Sequence, residues 1–161
     1  TIVFNGEVYN FLEIKKELST LGYSFISNSD TEVVLKAFDA WGIDCSLKFR
    51  GMFAFAIYDS NTAELYLCRD RLGVKPLYYY HENGRFIFGS EIKVFFKTAC
   101  FNASVNTTGL SSFINFGYVP HPHTLTENIY KASVGSWTVL NLVTDELEIK
   151  EYWNYSSYRR W

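Results

Sequence analysis

An α+β fold, antiparallel sheet with helices laid outside it, is predicted by three features of this sequence. Two early segments carry helical periodicity, and from Met52 the apolar period changes to two and stays there. No G-x-G-x-x-G or P-loop stretch points instead to a nucleotide-binding parallel sheet. At 161 residues the chain fits one domain, able to bury roughly 70% of the surface that its unfolded form exposes.

Thr1–Phe4 is β-branched and apolar and reads as a strand that stops at the polar cluster Asn5, Gly6 and Glu7. Asn10 and Glu13 have capping-box spacing before a helix in which Phe11, Ile14, Leu18 and Leu21 recur on one side and Gly22 supplies the stop. "YSFIS", residues 23–27, reads as a short strand. Behind Asp30, placed to cap, Val34, Ala37, Phe38 and Trp41 set out a second helix ending at Gly42. "MFAFAIYD", "ELYLCRD", "PLYYYHE" and "RFIFGSE" then read as one antiparallel meander. Its first strand is apolar on both faces and should be central and covered on both sides. "TTGLSSFINFG" predicts a shorter helix, and "YVPHPHTLTENIYKAS" a proline-containing loop of interface type. "SWTVLNL" and "ELEIKEYW" close with a hairpin, with Leu147, Ile149 and Trp153 on one face against Glu148, Lys150 and Tyr152. "NYSSYRRW" lacks periodicity.

Composition excludes several classes of function. The formal net charge is −2 with acids and bases interleaved, so no basic footprint marks a nucleic-acid partner. No apolar run approaches the roughly 20 residues of a membrane span, and no signal-like segment opens the chain; a cytoplasmic protein is expected. Cys45, Cys68 and Cys100 are far apart, with no histidine at zinc-ligand spacing, and read as buried free thiols. His81 is isolated after an aromatic strand, His121 and His123 flank Pro122 and read as loop polarity, and no metal site is expected.

Chemistry concentrates in "FNGE" and "SNSDTE". The Asn5 side-chain amide and the Gly6 N–H are suited to cradle a developing oxyanion, and Glu7 and Asp30 to hold an ammonium group. A substrate carrying both a carbonyl and an amine fits that set. Asn-Gly is equally a common turn and Asp30 equally a helix cap, so spacing leaves both readings open.

Four blocks in order, "FNGEVYNFLEIKKELSTLGYSFISNSDTEVVLKAFDAWG", "LKFRGMFAFAIYD", "LCRDRLGVKPLYYY" and "FGSEIK", resemble the class II (N-terminal nucleophile) glutamine amidotransferase domain of glutamine-hydrolysing asparagine synthetases. The resemblance runs from Thr1 to about Trp153. It implies a four-layer αββα sandwich of antiparallel sheets, incomplete at its N-terminus, over residues 1–153, with residues 154–161 starting a linker to an absent synthetase domain. It further implies hydrolysis of glutamine to glutamate and ammonia. Asn5 and Gly6 would form the oxyanion hole, and Asn5, Gly6, Glu7 and Asp30 would bind the glutamine. The glutaminase domain would need no cofactor. ATP and Mg would belong to the C-terminal synthetase domain, its partner, which amidates aspartate; the full protein would be a homodimer. Arg69, Asp70 and Arg71 would form a salt-bridged corner, and "GYVPHPHTL" with the last hairpin would approach the synthetase domain. Similar domains occur in glucosamine-phosphate synthase, amidophosphoribosyltransferase and glutamate synthase, so a sugar- or nucleotide-precursor amidating enzyme is an alternative. A non-catalytic assembly module is another.

One departure from the family pattern stands at the front. Family members begin with a cysteine whose thiolate attacks the amide while its own α-amine acts as base, and an arginine upstream of the Asn-Gly-Glu block binds the glutamine carboxylate. Neither is in this sequence. Thr1 is no substitute, because in a strand its Cα lies roughly 13 Å from that of Asn5. The fragment alone is therefore expected to be inactive, with an unpaired sheet edge prone to aggregation or strand exchange.

Overall fold

The computed structural model describes residues 1–98 and 101–158; Cys100 therefore lies outside the described residues. In chain order the elements are β1 (Ile2–Val8), α1 (Phe11–Thr20), α2 (Asp30–Trp41), α3 (Cys45–Lys48), β2 (Gly51–Asp59), β3 (Glu64–Arg69), β4 (Tyr78–Glu82), β5 (Arg85–Gly89), α4 (Thr107–Phe116), β6 (Ile129–Lys131), β7 (Ser136–Asn141) and β8 (Leu147–Glu151). Short 3-10 turns cover Gly42–Asp44, Ile92–Lys97 and Tyr155–Tyr158. Two compact units divide the chain, one made of residues 1–75 with 134 onward, the other of residues 76–133.

The first unit carries a five-stranded antiparallel sheet in the order β1-β2-β3-β7-β8. As expected, β2 is internal, and Phe53, Ala54, Phe55, Ala56 and Ile57 are all buried. One face of the sheet packs on α1 and α2. Val8, Phe53, Phe55, Ile57, Cys68, Trp137 and Val139 meet Ile14 and Leu18 of α1 and Val33, Val34 and Ala37 of α2. Trp137, fully buried, anchors this core; its ring lies 5.4 Å from Phe55 and 5.7 Å from Phe38, and its indole N–H donates to Ser46 Oγ at 3.0 Å.

Five sequence expectations for this unit are corrected. β1 runs through Asn5, Gly6 and Glu7 to Val8 rather than ending in a turn. Residues 23–27 join no ladder, because Ile26 and Ser27 give their N–H groups to the Glu32 carboxylate at 3.0 and 2.8 Å. Asn10 makes no side-chain cap; it donates to the Lys48 carbonyl and accepts from Arg50 N–H, tying the start of α1 to the entry of β2. The expected salt-bridged corner is built from backbone groups instead. Asp70 accepts four backbone N–H groups, while Arg69 donates to the Gly73 and Lys75 carbonyls and Arg71 to those of Leu47 and Phe49. At the last hairpin Ile149 is 48% exposed, whereas Tyr152 packs against the core and donates to the Arg69 carbonyl.

The predicted single meander breaks after β3, which pairs with β7 and not with β4. β4 instead opens the second unit, a three-stranded antiparallel sheet in the order β5-β4-β6. β6 arises inside the segment expected to be loop. Tyr80, Phe95 and Ile129 form a buried cluster in this unit. α4 is capped by Asn106, which accepts from Gly109 N–H at 3.0 Å, and ends at Gly117 in the left-handed conformation. Among the described residues no helix is long and apolar enough to cross a membrane.

Removing the Trp137 side chain empties the centre of the first unit and leaves Ser46 without its donor. Trp137→Ala should cost about 3–5 kcal/mol in urea unfolding; a loss below about 1 kcal/mol, the scale of a surface substitution, contradicts this packing.

Candidate active site

β1 lies at the edge of its sheet, and its register decides which backbone groups are used. Thr1 and Tyr58 exchange both N–H···O bonds at 2.9 Å, and Tyr9 N–H reaches the Arg50 carbonyl at 2.7 Å. Odd-numbered residues of β1 therefore form the hydrogen-bonded pairs with β2, and the pair Gly6–Phe53 belongs to the alternate set. The N–H groups of Ile2, Phe4, Gly6 and Val8 accordingly point away from β2, off the open edge.

Gly6 has no substitute in this ladder. Its φ is 144°, and a Cβ there would stand 2.2 Å from the Met52 carbonyl oxygen and 2.6 Å from the Phe53 Cα. Gly51 makes the matching approach from β2, where a Cβ would lie 2.1 Å from the Glu7 carbonyl oxygen. Two bare backbones are thus pressed together at residues 6–8 and 51–53. Side chains alternate about this contact: Ile2, Phe4 and Val8 join the helical core, while Asn5 and Glu7 are exposed on the opposite face.

Asp30 completes the arrangement from a distant part of the sequence. Its Oδ2 accepts the outward Val8 N–H at 3.0 Å. Ser29, not Asp30, caps α2, its side chain accepting from Thr31 N–H. Asp30 occupies the first helical position, half-buried, where the helix dipole favours a carboxylate. The segment before it is held by Glu32, whose carboxylate also accepts from Ser27 Oγ, and by Lys15, which donates to the Ser27 carbonyl at 2.9 Å. Hydrogen bonds from Ser27 Oγ and from the Ile26 and Ser27 N–H groups, with Lys36 at 3.7 Å, bring the Glu32 carboxyl down to about 2.

The four residues singled out in the sequence therefore gather at one strand edge. Gly6 N–H and the Asp30-held Val8 N–H leave that edge two residues apart, a span of roughly 7 Å. Val8 and Gly51 were missed at the sequence level; a glycine just before an apolar strand was the available signal for the second.

Neither described cysteine is equipped to act as nucleophile. Cys45 and Cys68 are fully buried and unpaired, and burial pushes the Cys45 thiol up to about 12 and the Cys68 thiol well above its ordinary value. Among the histidines, His81 packs edge-on against Phe86, and His121 Nε2 lies 3.2 Å from Ser133 Oγ. Among the described residues no group of three or more His, Cys, Asp or Glu is placed to hold a metal ion.

The fold is that of an amidotransferase. Bacillus subtilis glutamine phosphoribosylpyrophosphate amidotransferase is similar over 94% of this chain and 29% of its own, with a TM-score of 0.62 at 18% identity, a likeness of fold. It bears out the α+β class of antiparallel sheets and helices read from the sequence. Residues 1–153 match the glutamine amidotransferase domain family, and the chain belongs to that family. Asparagine synthetase [glutamine-hydrolyzing] 3 of B. subtilis is 40% identical over 159 residues, covering 98% of this chain. Asparagine synthetase [glutamine-hydrolyzing] 1 of the same organism is 40% identical over 135 residues, covering 84% of it. The chain spans 25% and 21% of the length of these two relatives.

The Glu32 clamp should be visible in the pH dependence of stability. Its folded carboxyl is more acidic than the ordinary value of 4.5, so its contribution is complete above pH 4.5 and disappears as pH falls toward 2. Glu32→Gln should lower the Tm at neutral pH and flatten its decline across that window. An unaltered acid limb of Tm against pH contradicts the clamp.

Proposed function

We propose that this domain hydrolyses the side-chain amide of glutamine to glutamate and ammonia, within a protein that passes the ammonia to an ATP-dependent synthetase domain making asparagine from aspartate. The observation that carries this reading is the Asp30–Val8 hydrogen bond at 3.0 Å, which brings the Asp-Thr-Glu block to the same strand edge as the outward Gly6 N–H.

In this reading the glutamine lies along the open edge of β1. Its amide oxygen takes the Gly6 N–H and the Asn5 side-chain amide, donors directed at the position where negative charge develops during attack. Its ammonium group meets the Asp30 carboxylate and Glu7. Val8 N–H engages only one Asp30 oxygen, which leaves the other for the substrate. This reading takes the nucleophile and the group that binds the glutamine carboxylate from residues outside this sequence; the described cysteines, Cys45 and Cys68, are buried and inert. ATP and Mg are assigned to the synthetase domain, reached through residues 154–161, and the full protein is taken to be a cytoplasmic homodimer.

Two features favour this reading over a sugar- or nucleotide-precursor amidating enzyme. The two relatives described above carry the asparagine synthetase name at 40% identity, and their likeness extends over most of the chain.

Asn5→Ala in the full-length gene product should lower kcat for glutamine hydrolysis by about 10²–10³. Unchanged turnover would leave Asn5 with no part in oxyanion stabilisation.

A further inference from the structure

The β2–β3 ladder stops at the pair Ala54–Arg69, and one step beyond it Phe53 is gripped by a single residue. Asp70 N–H donates to the Phe53 carbonyl at 2.9 Å, and Asp70 Oδ2 accepts the Phe53 N–H at 3.3 Å. The side chain supplies the acceptor that the β3 backbone no longer offers once the chain turns away. Its Oδ1 accepts the N–H groups of Leu72 and Val74 at 3.1 and 2.9 Å, and Oδ2 also takes that of Lys75 at 2.9 Å, so the turn itself fixes the carboxylate. Asp70 is 2% exposed, and a buried carboxylate meeting four backbone donors has no freedom to move.

Across β2, the other side of Phe53 is the wall against which Gly6 rests. The contact is backbone on backbone, with space at Gly6 too small for a Cβ, so a displacement of Phe53 carries over to the Gly6 peptide. Resting on the oxyanion assignment above, we propose that Asp70 is a positioning residue for glutamine hydrolysis: through Phe53 it sets the direction of the Gly6 N–H. Asp70 touches neither substrate nor reacting atoms in this scheme.

Asp70→Asn retains an acceptor for Leu72 and Val74 while turning an amide NH2 toward the N–H groups of Lys75 and Phe53. In the full-length gene product this variant should lower kcat for glutamine hydrolysis about 10–100-fold, the scale of a small misplacement, with KM for glutamine unchanged. The Gly6 amide nitrogen should shift in the NMR spectrum while that of Ile2, at the far end of β1, stays in place. Asn5→Ala is measured alongside. A normal kcat for Asp70→Asn beside an impaired Asn5→Ala overturns the positioning role and leaves the oxyanion assignment standing. A normal kcat in both variants removes the oxyanion assignment and the positioning role with it. Should Asp70→Asn fail to melt cooperatively, Asp70→Glu, which keeps the charge but displaces it by one methylene, is judged by the same criteria.

Discussion

The backbone contact between Gly6 and the Met52–Phe53 peptide is the constraint on which the rest of the first unit depends. A strand pair packed this closely excludes any side chain at residue 6, and the reciprocal approach at Gly51 excludes one there too. β1 can therefore continue through Asn5 and Glu7 without a turn, and the edge position of the strand leaves alternate N–H groups pointing outward. An outward N–H on an ordinary edge strand is a liability that proteins cover or block. Here one of them is already taken by Asp30, and its neighbour two residues away faces the candidate substrate position.

Much of the remaining architecture holds those few atoms in place. α1 and α2 bury their apolar faces on the sheet around Trp137, which fixes where α2 begins and so where Asp30 can reach. Asn10 ties the start of α1 to the entry of β2 by two hydrogen bonds, beside the Gly51 contact. Glu32 holds the incoming segment 26–27, and Ser29 caps the helix in place of Asp30, leaving the Asp30 carboxylate to bind Val8. Carboxylates that accept backbone N–H groups recur at Asp30, Glu32 and Asp70, a rigid use of charge.

Local signals were legible in the sequence, and non-local pairing was not. Apolar period located α1, α2, α4 and the β7–β8 hairpin, because each depends on neighbours within a few residues. The partner of β3 was misread, since nothing near Cys68 or Arg69 announces pairing with Ser136–Asn141 nearly seventy positions away. Asn5-Gly6 reads as a turn by composition; only the partner strand reveals that the glycine serves close approach instead. Asp30 stood at a cap by spacing, yet Ser29 immediately before it takes that role. Asp70 looked like half of an ion pair because arginines flank it, and its actual partners are N–H groups, which carry no signature in a sequence. The family blocks brought the four candidate residues together where spacing alone left them ambiguous.

In the proposed reading one glutamine spans the edge of β1 from Gly6 to Asp30. A crystal structure of the full-length gene product with glutamate bound tests it most directly. The ligand's side-chain carboxyl is expected within hydrogen-bond distance of the Gly6 N–H and the Asn5 amide, with its ammonium on Asp30 and Glu7. Glutamate seated elsewhere, or lying on this edge with the Gly6 N–H unengaged, would contradict it.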